Sequence, residues 1–233
     1  MSTIRKRAEG LAMSSLLRGL SAAGKVLPHA NMEAQGIEVL RDVPYVAGGG
    51  ASRTLDVYRP QGRGPFPTVL YIHGGGFRIL SKDTHWIMGA MLARAGYLVF
   101  NINYRLAPVH RFPAALEDVC DAYAFIAARG ASFGADLDRL AIAGESAGAN
   151  LATSLTVALV QEREEAYARK AFSTGLMPRA VIPYCGVHQV TDPGRFRRRK
   201  PSISELVQSR IDIISHGYAP HAHDQETPRA LLD

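Results

Sequence analysis

The sequence predicts an α/β protein in which helices flank a mostly parallel β-sheet. Short apolar runs typical of buried strands alternate along the chain with segments of helical periodicity. This alternation is the order that successive βαβ units require. The chain has 233 residues, of which 47% are hydrophobic, and that is enough for one domain with a single core.

Six segments predict strands. The first two alternate in polarity on either side of Gly48–Gly50, as in strands joined by a turn, and the others are short apolar runs. In chain order the six are Glu38 to Val46, Thr54 to Tyr58, Thr68 to Ile72, Tyr97 to Ile102, Arg139 to Ala143, and Ala180 to Tyr184.

Three helices are predicted between the later strands. Asp83 is placed to cap the first, which ends at Gly96. Pro113 opens the second, which ends at Gly130, and the third follows the turn Gly144–Gly148. We expect these helices to bury one apolar face each against the sheet.

The two ends of the chain predict different kinds of structure. Leu16 and Leu20 belong to one helical face within residues 1–34, which predicts a helical segment that forms part of a cap. An organelle transit peptide is the alternative, since this segment is basic. Residues 35–233 form the main domain, and after Val187 the periodicity weakens, so residues 188–233 predict an irregular or cap-like tail.

The net charge is +6, and much of it lies in one basic run, Arg195–Lys200. A nucleic-acid patch is one interpretation, but no aromatic platform or DNA-binding motif accompanies the run. We therefore expect a solvated loop and no nucleic-acid partner. No stretch approaches the roughly 20 apolar residues of a membrane helix, so stable membrane insertion is not expected. Cys120 and Cys185 lack metal spacing and predict two small buried hydrophobes in a reducing, cytoplasmic compartment.

The segment Gly144-Glu145-Ser146-Ala147-Gly148 fits the pattern G-x-S-x-G between a strand and a helix. A serine in that context occupies a tight, strained turn, and the glycines two residues on either side make room for it. The amides at the start of the following helix favour negative charge at the same place. Ser146 is therefore the candidate nucleophile, although a small-residue turn with an idle serine has the same pattern.

A second motif, His73-Gly74-Gly75-Gly76-Phe77, directly follows the third strand. A glycine run lets backbone N–H groups approach a substrate oxygen, and such donors stabilise the oxyanion of a tetrahedral intermediate. A phosphate loop would need a Lys-Ser/Thr pair, which Phe77-Arg78 does not supply. His73 precedes the serine in the chain, so we expect it to orient the loop and not to act as the base.

Together with Tyr104–Pro108 and Phe112–Asp118, these motifs resemble the hormone-sensitive-lipase-type esterase and lipase branch of the α/β-hydrolase fold. The resemblance covers about residues 35–190 and implies hydrolysis of short- or medium-chain carboxylic esters through an acyl-enzyme on Ser146. It implies an oxyanion hole made by the N–H groups of Gly75, Gly76 and Ala147, with Gly74 shaping the turn. No metal or organic cofactor is implied, and the oligomeric state stays open.

This sequence departs from the family pattern in three places. Val109 stands where a glutamate is frequent, and Glu145 stands where an aspartate is frequent. The third departure concerns the triad, because the acid and then the histidine follow the serine in this fold, and neither is recognisable in the remaining residues. We expect them beyond residue 233, so the chain as given should be nearly inactive.

The tail offers weak substitutes for the missing groups. Asp192 precedes Pro193 and reads as a turn residue, whereas His188 and His216 lie in a weakly periodic region. A further cluster, His221, His223 and Asp224, suggests a metal site, but a polar surface loop is favoured and we expect no metal.

Two classes of function remain. The chain is either a serine hydrolase or an inactive remnant, including a small-molecule-binding protein, on a hydrolase scaffold. The absence of a recognisable base favours the second class, whereas retention of Ser146 and both glycine motifs favours the first.

Overall fold

A computed structural model describes residues 15–16, 19–24, 26, 30–220 and 231. Within this part of the chain, strands and helices alternate as the sequence predicts. The strands are β1 (Ile37–Pro44), β2 (Thr54–Pro60), β3 (Phe66–Ile72), β4 (Leu98–Ile102), β5 (Ala135–Glu145) and β6 (Ala180–Tyr184). The α-helices are α1 (Trp86–Arg94), α2 (Ala114–Arg129), α3 (Ala147–Val160), α4 (Ala166–Phe172), α5 (Arg195–Arg199) and α6 (Glu205–Tyr218), and 3-10 turns occupy Glu33–Gln35, Ala51–Arg53 and Gly130–Phe133.

The described strands form one sheet in the order β1-β2-β4-β3-β5-β6. The pairs β1·β2 and β2·β4 are antiparallel, and the other three pairs are parallel. This arrangement confirms the α/β class with a mostly parallel sheet.

The central strands are apolar because both faces of the sheet are covered. Leu70 and Ile72 of β3 belong to a core shared with α2 and α3, whereas Val69 and Tyr71 belong to a second core shared with α1. Successive residues of a strand point to opposite faces, so β3 supplies both cores from adjacent positions.

The register of the parallel strands places the predicted motifs together. Ile72 pairs with Gly144, and Glu145 pairs with Tyr184. The residues that follow β3 and β5 therefore leave the sheet at the same edge, next to the end of β6.

Several local predictions were wrong. Helix α1 begins at Trp86 with His85 at its N-cap, not at Asp83, because Ser81 and Thr84 close a separate turn before it. Cys120 is buried as expected, but Cys185 is exposed, since it lies just beyond β6, which is at the edge of the sheet formed by the described strands.

The tail is also more regular than the sequence predicts. The basic run forms the short helix α5 instead of a loop, although Arg197 to Lys200 are exposed as expected. Helix α6 follows, and the Ser204 hydroxyl accepts a hydrogen bond from the amide of Val207, which caps its first turn. Most of residues 1–34 lie outside the described residues, although residues 19–24 are helical and the carbonyl of Ser21 accepts a bond from the indole of Trp86.

The segment between β4 and α2 is held by a buried ion pair. The Arg105 guanidinium lies 2.8 Å from Oδ1 of Asp118, and the Arg105 amide donates to the same carboxylate at 2.7 Å. The carboxylate of Asp118 is fully buried, and burial raises its pKa while the hydrogen bonds from Arg105 oppose that rise. Arg105 is therefore needed for structure.

We expect Arg105→Ala to lower the free energy of unfolding by about 3 kcal/mol, because it leaves a buried carboxylate without its main partner. Arg139→Ala is the matched control, since Arg139 is 58% exposed and pairs with Asp136 at the surface. That variant should lose less than about 1 kcal/mol. Urea unfolding of both variants checks the prediction, and equal losses would contradict it.

Candidate active site

Ser146 occupies the turn between β5 and α3, where the sequence places it. Its backbone has φ 51° and ψ −114°, a conformation that few non-glycine residues adopt. The chain at and just after the end of β6 forms two hydrogen bonds with Ser146. The Ser146 amide donates to the carbonyl of Tyr184 at 3.0 Å, and the Ser146 carbonyl accepts from the amide of Val187 at 3.4 Å. The strained turn is thereby fixed by backbone hydrogen bonds.

The flanking glycines are required by close backbone approach. A β-carbon at Gly144 would overlap the carbonyl of Gly148, and a β-carbon at Gly148 would overlap the carbonyl of Ile72 and lie 2.7 Å from that of His73. Contacts of this kind with rigid backbone atoms cannot be relieved by rotating a side chain. The first turn of α3 can therefore lie directly on the end of β3.

The glycine loop follows β3 and passes beside the Ser146 turn. A β-carbon at Gly74 would lie 3.0 Å from the Glu145 carbonyl, so loop and turn are in contact. Gly75 and Gly76 have φ of 114° and 59°, in the region that favours glycine. The Gly75 carbonyl accepts from the amides of Arg78 and Ile79, which folds the loop back on itself.

His73 is enclosed in a stack of rings. It lies 4.3 Å from Tyr104 and 5.4 Å from His85 between ring centroids, and its side chain is 1% exposed. Its Nδ1 lies 2.7 Å from the carbonyl of Gly74, so Nδ1 carries the hydrogen and donates. Burial lowers the pKa of His73 to about 3, and the ring is neutral near pH 7. These contacts suit a residue that orients the loop.

Glu145 and His85 form a pair that sequence reasoning missed. Nε2 of His85 lies 2.7 Å from Oε1 of Glu145, immediately before the nucleophile turn. The hydrogen bond from His85 lowers the pKa of Glu145, and the backbone amide of Gly74 contributes in the same direction, although burial opposes both. The pattern G-x-S-x-G leaves its second position open, so nothing in the motif marks Glu145 or selects His85 as its partner.

Helix α6 lies over the glycine loop. The rings of Phe77 and Tyr218 are stacked with centroids 3.7 Å apart, and the Phe112 amide donates to the carbonyl of Tyr218 at 2.9 Å. A β-carbon at Gly76 would lie 2.9 Å from Cγ1 of Ile214. The tail thus contributes an apolar wall next to the candidate oxyanion donors.

The histidines of the tail do not complete a triad in the described part of the chain. His188 packs against Gly186, and Nδ1 of the exposed His216 lies 2.7 Å from the carbonyl of Asp212. Among the described residues, no side chain forms a hydrogen bond with the Ser146 hydroxyl, and no group of three potential metal ligands is found. His221, His223 and Asp224 lie outside the described residues.

Comparisons with known proteins identify relatives. A family described as alpha/beta hydrolase fold matches residues 69–232. An ethyl acetate hydrolase of Pseudomonas putida is 34% identical over 170 residues, 64% of this chain and 54% of that protein. The carboxylesterase NlhH of Mycobacterium tuberculosis is 34% identical over 139 residues, 58% of this chain and 40% of that protein. The chain therefore spans about half the length of these relatives, or less.

Two solved esterase structures are similar to this chain. A hyperthermophilic esterase from the archaeon Pyrobaculum calidifontis has a TM-score of 0.68 and 26% identity, over 95% of this chain and 68% of that one. Esterase B from Lactobacillus rhamnosis has a TM-score of 0.70 over 99% of this chain and 68% of that one. Its identity of 21% supports likeness of fold alone.

We expect Gly148→Ala to lower the free energy of unfolding by about 1–3 kcal/mol, because the added methyl overlaps the Ile72 carbonyl. Alanine would otherwise stabilise a helix relative to glycine. Gly19→Ala is the matched control, since Gly19 is also helical and has no atom within 4 Å of an added β-carbon. Thermal unfolding of the two variants checks this, and a neutral Gly148→Ala would contradict the packing argument.

Proposed function

The chain belongs to the α/β-hydrolase fold family, in its hormone-sensitive-lipase-type esterase branch, and we propose that it is a serine hydrolase that cleaves carboxylic esters through an acyl-enzyme on Ser146. The observation that carries this proposal is the strained Ser146 turn lying against the Gly74–Gly76 loop. A hydroxyl and a set of backbone donors beside it are what acyl transfer requires.

The proposed reaction proceeds in two steps. A base takes the proton of the Ser146 hydroxyl, and the oxygen attacks the ester carbonyl. The N–H groups of Gly75, Gly76 and Ala147 stabilise the oxyanion, while Gly74 shapes the loop. The alcohol leaves, and water hydrolyses the acyl-enzyme. No described side chain is hydrogen-bonded to Ser146, so the base and its acid partner have no assigned residue here.

We expect small esters as substrates. Ile214 covers Gly76, so the space beside the oxyanion donors is limited on that side. The ethyl acetate hydrolase among the relatives is named for a small ester. Helix α6 acts in this proposal as a cap-like element of the tail, and the N-terminal segment that contacts Trp86 through Ser21 adds a second one.

The proposal involves no organic cofactor or metal and no nucleic-acid partner, and places the protein in the cytoplasm. Exposed Arg198 is paired with Asp192, and Arg197 with Glu205, so part of the basic charge is already neutralised. Both cysteines are free, as in a reducing compartment. In the described residues, no helix is both long and apolar enough to cross a membrane.

The alternative is a binding protein or inactive remnant on the same scaffold. One observation favours it: the Ser146 hydroxyl has no described base beside it, and a serine without a base is a poor nucleophile. Labelling of Ser146 by a fluorophosphonate distinguishes the serine hydrolase from this alternative.

We expect this chain to hydrolyse p-nitrophenyl acetate slowly, about 10³–10⁴-fold faster than water, which is what remains without a complete triad. Prolonged treatment with an excess of fluorophosphonate should give an adduct that mass spectrometry maps to Ser146. Ser146→Ala should lose the adduct but keep this residual hydrolysis, because the residual rate comes from the oxyanion hole and binding. Its thermal unfolding midpoint should not change.

An adduct elsewhere, or labelling that persists in Ser146→Ala, would contradict the assignment of the nucleophile. Robust turnover that is lost in both Ser146→Ala and His188→Gln, or in both Ser146→Ala and His216→Gln, would place the base in the tail. Binding of an ester without any adduct would support the alternative.

We expect Ile214→Ala to shift the preference from p-nitrophenyl acetate towards longer acyl esters by about tenfold, because removing its side chain opens space above Gly76. Leu206→Ala is the control, since Leu206 lies on the same helix and is 67% exposed. Initial rates over an acyl-length series, divided by rates on acetate, check this. Equal profiles for the two variants would remove Ile214 from the substrate site.

A further inference from the structure

His85 connects two parts of the site that are distant in sequence. Its Nε2 lies 2.7 Å from Oε1 of Glu145, and its Nδ1 lies 3.0 Å from both the Ser81 carbonyl and the Thr84 hydroxyl. The ring is 11% exposed, so water has little access to it. Both ring nitrogens of His85 therefore have polar neighbours within the protein.

Nδ1 carries a hydrogen because both of its neighbours are acceptors. The Thr84 hydroxyl accepts from the Ser81 amide at 2.9 Å and donates its single hydrogen to the Ser81 carbonyl at 2.7 Å. It has no hydrogen left for His85, and a carbonyl never donates.

Nε2 lies against a carboxylate. The hydrogen bond from His85 holds the pKa of Glu145 below its ordinary value, and the Gly74 amide adds to the effect while burial opposes it. The His85 ring therefore joins the turn at Ser81–Thr84 to the Glu145 carboxylate.

We propose that the hydrogen bond between His85 and Glu145 positions the glycine loop against Ser146. Glu145 directly precedes Ser146, and its carboxylate lies against Gly74, where an added β-carbon would be 3.2 Å from Oε1. One carboxylate therefore joins the start of α1, the nucleophile turn and the first glycine of the loop. Neither side chain reaches the reacting atoms, so both are positioning residues. The catalytic consequence rests on the proposed function, whereas the hydrogen bond and the contact of Glu145 with the loop do not.

The other ionisable groups around this pair are neutral or are paired elsewhere. His73, at the end of β3, stacks on His85 and stays neutral, because burial and the neighbouring His85 lower its pKa to about 3. Burial raises the pKa of the three nearby phenols, Tyr71 of β3, Tyr104 after β4 and Tyr184 of β6, so they are neutral too. On the segment of His85 itself, Lys82 pairs with Asp56, Asp42 and Asp83.

Nitrogen NMR of histidine-labelled protein tests the hydrogen bond between His85 and Glu145. The His85 ring signals are assigned by their loss in His85→Gln. Glu145→Gln keeps the shape and removes the anion, so the Nε2 signal of His85 should move. His110→Gln, at an exposed histidine, should leave the His85 signals unchanged. Unchanged His85 signals in Glu145→Gln would overturn the proposal.

Hydrogen exchange at the Gly74 amide tests the positioning. Exchange should become about tenfold faster in both His85→Gln and Glu145→Gln, because the carboxylate that lies against the loop loses its charge or its partner, with no change in His110→Gln. Circular dichroism establishes whether each variant is folded. If His85→Gln does not fold, the exchange rate in Glu145→Gln alone tests the positioning role. Unaltered Gly74 exchange in folded Glu145→Gln would overturn the positioning role.

Labelling of Ser146 keeps this inference separate from the proposed function. Without any Ser146 adduct in the wild type, the proposed function fails, yet the nitrogen shifts and the Gly74 exchange still decide the inference. With an adduct, we expect the labelling rate to fall in Glu145→Gln along with the loss of Gly74 protection. A normal labelling rate with a displaced loop would show that the loop position does not matter for Ser146.

Discussion

The site depends on the contact between the first turn of α3 and the end of β3. Gly148 lies so close to the carbonyls of Ile72 and His73 that no side chain fits between them. This contact brings the Ser146 turn and the glycine loop to the same edge of the sheet. Because interiors are densely packed, an added methyl at that point must move a backbone segment, and either segment carries part of the proposed chemistry. Packing therefore requires glycine at positions 144 and 148, independently of any catalytic role.

Beneath that contact lies a layer of buried polar groups. His73 lies between Tyr104 and His85, and the Tyr104 hydroxyl donates to the His73 carbonyl at 2.8 Å. Glu145 extends the layer to the nucleophile turn. Burial makes an unpaired charge costly, so each ionised group in such a layer needs a matched partner. The layer consequently fixes one geometry of the glycine loop, which pre-organised backbone donors require.

The tail forms the side of the site that faces away from the sheet. Ser204 caps α6, and the helix brings Ile214 and Tyr218 onto the glycine loop. Its local periodicity is weak, because only a few of its residues, Gln208, Ser215 and Tyr218 among them, are buried. The apolar contacts that stabilise this helix are long-range, with Phe77 and Phe112, and a reading of adjacent residues does not reveal them.

The sequence alone determined the α/β class, the order of strands and helices, the Ser146 turn and the glycine loop, because these depend on local periodicity and on glycines at fixed spacing. It misplaced the start of α1, since the turn at Ser81–Thr84 forms through side-chain hydrogen bonds that periodicity does not record. The prediction that Cys185 is buried was also wrong. Its exposure depends on the position of β6 at the edge of the described sheet. The pairing of Glu145 with His85 and the position of Ile214 over Gly76 were decided by tertiary structure alone, because they join residues that only the parallel register of β3 and β5 and the docking of α6 bring together.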